Sequence, residues 1–285
     1  MKSRILECRV NSLLGVMLDD AESFTNAFKC ILTNFPEAAP ERWNIVEPIN
    51  KPFDIHEIEK KASSSNFDML WKRISYPKGW GSIQKITYPK KGAQHARFDF
   101  ELKIRRDLES KLCCFLKKIA SKFSTDYISI NFSHPEYCRF QRLSDGEFVP
   151  TWVLRKWLPD IFWGQIFGRP YIDLFGMEKL LSCPAYKVEM ISDDLVYMQI
   201  TESIFDAAED YSYFDAKRNE AKMFLDDNIF FDPEKSVEYV RRLQSQGPEI
   251  FEANKIFPED HIYKTPEFKI DKLSPINWFG GKMSQ

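Results

Sequence analysis

No apolar run in this 285-residue chain reaches the roughly 18 residues that mark a membrane-spanning helix, so none is expected. The first residues, MKSRILECRVNSLLG, lack both a long apolar stretch and a small-residue cleavage site. A secretory signal is therefore not expected either. The six cysteines form no C-x-x-C pair and lie mostly in apolar surroundings. That predicts buried, reduced thiols and a cytoplasmic location. There is no G-x-G-x-x-G, no G-x-x-x-x-G-K-[ST], no H-E-x-x-H and no G-x-S-x-G. His56, His95, His134 and His261 lie far apart, and Cys138, four residues after His134, would add only a second ligand. No tandem repeat or low-complexity segment is present. These absences predict no metal, no cofactor and no catalytic residue, and they favour a binding protein over an enzyme.

What is present supports a large core. Forty-four per cent of the residues are hydrophobic and 15% are aromatic. The net charge of −2 hides an asymmetry. Residues 72–122 hold fourteen Lys/Arg against four Asp/Glu, and residues 189–238 hold four against fourteen. One reading is that the two segments pack together or carry solvated faces. The other is that the acidic segment presents its field to a basic partner. In the basic segment, cations interleave with Trp71, Tyr76, Trp80, Tyr88 and Phe98, which could stack bases. The overall pI near 6.2 and the inward register of Phe98 argue against nucleic acid.

Periodicity gives an α+β reading. The expected architecture is a mixed or antiparallel sheet, with amphipathic helices packed mainly on one face and an irregular C-terminal tail. Residues 1–246 read as one domain, or as two intimate lobes meeting near 134–165, and 247–285 as a surface-wrapping tail. Residues 4–10 are a strand candidate. Asp19 is placed to cap the next helix, with Glu22 in a capping-box position. Phe24, Ala27, Phe28, Ile31 and Leu32 form its apolar face. The proline-rich run 41–54 reads as a surface connection, 55–62 as helical turns and 82–88 as a strand. In the clearest strand, Phe98, Phe100, Leu102 and Ile104 alternate with charged residues. A helix follows over 106–123, then a strand bearing Ile128, Ile130 and Phe132. Residues 134–150 read as irregular, and 154–167 as a packed, partly irregular bridge.

From 163 to 201 the spacing predicts a loop, a helix and a hairpin. Pro170 suits the first helical turn. Gly176 marks a bend or a close approach. Tyr186, Val188 and Met190 alternate with Lys187 and Glu189 as in a half-buried strand. Ser192, Asp193 and Asp194 form the turn. The strand over 195–200 is apolar enough to be covered on both faces. Helices are expected over 215–225 and from Asp232-Pro233 to Leu243.

The stretch WGQIFGRPYIDLFGMEKLLSCPAY begins at Trp163 and is followed by an acidic turn and LVYMQIT. It resembles a pattern in bacterial immunity proteins of the type VI secretion and polymorphic-toxin families, including those paired with restriction-endonuclease-like toxins. The likeness rests on an aromatic–glycine lead-in, a G-x-x-x-L-L-S-x-P-A segment and a strand ending Q-[LI]-T. Arg42-Trp43, Glu47-Pro48 and Pro52-Phe53-Asp54 extend it upstream. The resemblance implies a non-enzymatic antidote that binds a cognate protein toxin, and it carries over no catalytic residue. Glu202, Asp206, Glu209, Asp210 and Asp215 would then form the binding surface, with a charge suited to a basic nuclease toxin. Two alternatives stay open. One is a metal-dependent hydrolase using the carboxylates between Glu202 and Asp210. The other is a general protein-interaction scaffold.

Overall fold

Ten strands build one sheet in the order β3-β2-β4-β5-β6-β1-β7-β8-β10-β9, and the paired strands run antiparallel throughout. The computed structural model describes residues 4–15, 18, 20–64, 68–84, 96–134, 160–227 and 230. The strands are β1 (Leu6–Leu13), β2 (Arg42–Asn44), β3 (Lys51–Pro52), β4 (Met69–Arg73), β5 (Lys78–Gln84), β6 (Arg97–Ile104), β7 (Tyr127–Phe132), β8 (Gly164–Phe167), β9 (Lys187–Ser192) and β10 (Leu195–Gln199). The helices are α1 (Ala21–Asn34), α2 (Ile55–Ser64), α3 (Glu109–Lys122), α4 (Arg169–Phe175), α5 (Met177–Leu181), α6 (Ile204–Glu209) and α7 (Tyr211–Leu225). The α+β expectation holds. Among the described residues, no helix is long and apolar enough to cross a membrane.

The pleat sorts the side chains of the sheet. In β6, Phe98, Phe100, Leu102 and Ile104 are all buried, as their alternation predicts. They share a face with Cys8 and Val10 of β1 and Ile130 of β7. Helix α3 closes that face. Its Phe115 ring lies 6.4 Å from Phe98, 6.2 Å from Phe100 and 5.7 Å from Phe35, which follows α1. Helix α2 packs beside α1, where Phe53 meets Phe28. Over β7 and β8 the opposite face is covered too. There Tyr171 of α4 packs on Tyr127 and Phe167. Strand β10 is buried along its whole length, as its continuous apolar run predicts.

Several local expectations are corrected. The cap of α1 is Asp20 rather than Asp19: its carboxylate accepts from the Ser23 amide at 2.7 Å. The proline-rich run contains two short strands, β2 and the edge strand β3. Pro52 sits on the outermost strand, where a missing donor breaks no ladder. Strands β4 and β8 were not anticipated. Strand β5 begins at Lys78, earlier than its apolar residues suggest. Gly79 and Gly81 erase the alternation there, yet a Cβ on Gly81 would stand 2.7 Å from the Trp71 ring. In β9, the terminal strand, the expected half-buried side is only partly so: Val188 packs against the core, while Tyr186 and Met190 are more than half exposed. On the other side Lys187 is exposed and half-buried Glu189 pairs with Lys117 of α3. Gly176 does end α4. At φ +85° it takes a conformation that L side chains rarely adopt, and the chain restarts as α5. The expected irregular segment 134–150, lobe junction, helix 232–243 and tail 247–285 lie outside the described residues, apart from 134 and 160–165.

Candidate partner-binding site

The polar residues of the 163–201 stretch hold its last strand to the acidic segment that follows. Gln199, buried at the end of β10, donates through Nε2 to the carbonyls of Thr201 (2.9 Å) and Glu202 (2.8 Å). Its Oε1 accepts from the Tyr197 hydroxyl at 2.8 Å. Thr201 Oγ1 accepts from the indole N–H of Trp163 and donates to the Ser203 carbonyl. Ser203 then caps α6, accepting from the Phe205 amide and donating to Glu109 Oε2 at 2.7 Å. Every bond in this chain fixes backbone or a buried polar group. The Q-[LI]-T ending is thus a brace for the loop.

The brace sets the phase of α6, and the helical period sorts its side chains. Ile204, Phe205 and Ala207 are buried, while Glu202, Asp206, Glu209 and Asp210 face outward. Four of the five expected carboxylates therefore share one surface. Asp206 pairs with Arg106 at 2.6 Å, and Glu209 pairs with Arg4 at 3.1 Å. The carboxylate of Asp210 caps α7 through the Tyr213 amide at 3.0 Å. Asp215 lies deeper. It pairs with Arg218, whose guanidinium also bonds buried Asp160. Arg106 with Asp206, and Lys117 with Glu189, join the basic and acidic segments, so part of the charge asymmetry is satisfied internally.

Arg106, Glu109, Ser110, Glu202, Ser203 and Asp206 line an open cavity of about 460 Å³. Burial is the largest influence on Glu109 and raises its pKa, against the Ser203 hydrogen bond. The Asp206 hydrogen bond raises that of Arg106. Asp206 and Glu209 are engaged with arginines, Glu109 with a serine and Asp210 with a helix terminus. Among the described residues, no three His, Cys, Asp or Glu side chains converge as a metal site. Arg4, Arg106, Glu109 and Ser203 were missed in the sequence. Ser203 and Asp206 form an S-x-x-D capping signature that would have placed the start of α6. Arg106 and Glu109 stand some hundred positions away along the chain and left no local signal.

The described basic residues of 72–122 are dispersed over both faces of the sheet. Trp71 and Phe98 are core residues, whereas Trp80 is 52% exposed. The Tyr76 hydroxyl accepts from the Arg105 amide. Tyr88 lies outside the described residues.

No protein-family model and no curated protein matches the chain. Among solved structures, a Pseudomonas aeruginosa T6SS protein is similar at 12% sequence identity, over 88% of each chain, with a TM-score of 0.46.

Proposed function

We propose that this protein is a non-catalytic antidote of the immunity type, which binds a cognate, positively charged toxin through the rim of Glu202, Asp206, Glu209 and Asp210. The observation that carries the reading is the division of labour in 199–210. Gln199, Thr201 and Ser203 hold the loop from within, and the carboxylates point out. Arg4 and Arg106, the cations they meet, are about half exposed. Exposed pairs of this kind contribute little to folding, so a partner's Lys or Arg can replace them at small cost. Such a rim suits a nuclease toxin, whose own site attracts phosphate.

The test is expression of the neighbouring reading frame in a host cell, with and without this chain. Growth arrest is expected alone, and growth is expected to return on co-expression. With the two purified proteins, the variant Asp206→Asn/Glu209→Gln/Asp210→Asn should associate more slowly, with a flatter salt dependence. Asparagine at 210 preserves the helix cap. A neighbouring product that is harmless, or that this chain does not neutralise, would overturn the reading. Unchanged association at low salt would remove the rim as the steering surface.

A further inference from the structure

A second charged surface lies on the sheet. Strand register places Arg42, Lys72, Trp80 and Glu101 in one row across β2, β4, β5 and β6. They stand on the face opposite Phe100 and Leu102, away from α3. Adjacent strands lie only about 4.8 Å apart across a ladder, so residues in register within a row stand side by side. Two like-charged pairs are directly opposed there: Arg42 with Lys72, and Lys78 with Lys103. Directly opposed like charges destabilise a sheet, so fold stability does not account for them. Lys103 reaches Glu7 at 3.8 Å, but Lys72 and Lys78 make no ion pair among the described residues. Between these cations Trp80 is 52% exposed, with Ile74 also 52% exposed at the end of β4. An exposed indole flanked by Lys72 and Lys78, with Glu101 on its third side paired to Arg9, and with an aliphatic residue nearby, has the composition of an interface centre.

The complementary surface is present in the same molecule. The rim of Glu202, Asp206, Glu209 and Asp210 is acidic, and Tyr213 beside it is 55% exposed. The rim is anchored through Ser203 and Glu109 to α3, which covers the other face of the sheet. The sheet stands between the two surfaces, so they cannot meet within one copy. We propose that free copies of this protein associate with one another, the Arg42/Lys72/Lys78/Trp80 face of one taking the acidic rim of the next. The contact joins two different surfaces, so it is head-to-tail. It also occupies the rim assigned to the toxin, so a basic partner would dissolve the assembly by competing for the same carboxylates.

Sedimentation of the full chain over a range of concentrations tests this. At low salt the weight-average mass should rise above the 33.6 kDa of one copy, and high salt should return it to that value. Lys72→Glu/Lys78→Glu and Asp206→Lys/Glu209→Lys should each remain single at all concentrations. Mixing the two variants should restore association, because each retains one native surface and the two altered surfaces are again of opposite sign. Trp80→Ala should weaken association without changing the fold, checked by circular dichroism. A wild-type chain that stays single at low salt overturns the proposal, as do charge variants that still associate alone. Association of the Lys72/Lys78 face with a single-stranded oligonucleotide instead would assign it to nucleic acid and equally overturn it. The growth-rescue experiment is untouched by these outcomes, so the two readings fail separately.

Discussion

Truncating Arg218 to alanine should be among the most damaging single changes in the protein. Its side chain is 6% exposed and bonds the carboxylate of Asp160, which is 4% exposed. Asp160 introduces the segment leading into β8, and Arg218 lies on α7, so the pair ties the last described helix to the sheet. In Arg218→Ala, Asp160 keeps Lys222 Nζ at 3.3 Å and the Ile161 amide at 2.8 Å. It loses its closest cation in a site with little water. Breaking a buried pair costs about 3–5 kcal/mol, chiefly through the charge left behind. The remaining lysine places this variant near the lower end, at about 3 kcal/mol. At about 2–4 °C per kcal/mol for large domains, Tm should fall by roughly 6–12 °C. Thermal and urea unfolding of the wild type, Arg218→Ala, Asp160→Ala and the double variant form the assay. The double variant should lose less than the two singles together, since the buried Asp160–Arg218 contact is counted in both singles and neither partner is left facing the other's vacancy. A loss below about 1 kcal/mol for Arg218→Ala, or strict additivity, would refute the argument.

Three further outcomes follow from burial and titration. Leu102→Ala empties a fully buried position beneath α3 and should cost about 2–5 kcal/mol in urea unfolding; a loss under about 1 kcal/mol would contradict its place in the core. Burial raises the pKa of Glu109 above its ordinary 4.5, so the folded state holds that proton more tightly than the unfolded state. Stability from this group is present below pH 4.5 and is lost as pH rises through the raised value. Glu109→Gln should therefore gain stability relative to wild type across that window, and a relative gain toward acid would reverse the sign of the argument. Among the described cysteines, exposed Cys114 should be alkylated first at mildly alkaline pH, because burial pushes Cys113 up to about 11 and Cys183 up to about 12. Peptide mapping that finds Cys113 modified ahead of Cys114 would count against the register of α3.

The sequence was most informative where one physical cause acted alone. In β6 the two-residue period is unbroken, and core and solvent sides followed at once. The stripe of α3 was equally clear. Strand β4 failed because Met69-Leu70-Trp71 is short and continuous, with a lysine and an arginine after it. The start of strand β5 was missed because its inward side carries two glycines, placed by contact with β4 and β6 rather than by any local pattern. In β9 the alternation was real but told only part of the burial: Val188 packs on the core, while at the edge of the sheet Tyr186 and Met190 stay in water and a salt bridge half-buries Glu189 on the other side. The candidate site was half legible. Its carboxylates form a visible run, but the split of Asp215 from the rim depends on a distant partner, Asp160.

The brace beneath the acidic rim has a consequence for diversification. Glu202, Asp206 and Glu209 point outward from a loop whose shape is set by Gln199, Thr201, Ser203 and Trp163. Their identities are therefore decoupled from the chain's ability to fold, and the surface works as a replaceable faceplate on a fixed mount. Asp210 is the exception, because it also starts α7. Three positions can thus be rewritten, singly or together, at the small cost of exposed ion pairs. On the antidote reading proposed above, a lineage or a laboratory library could change the partner there in few steps.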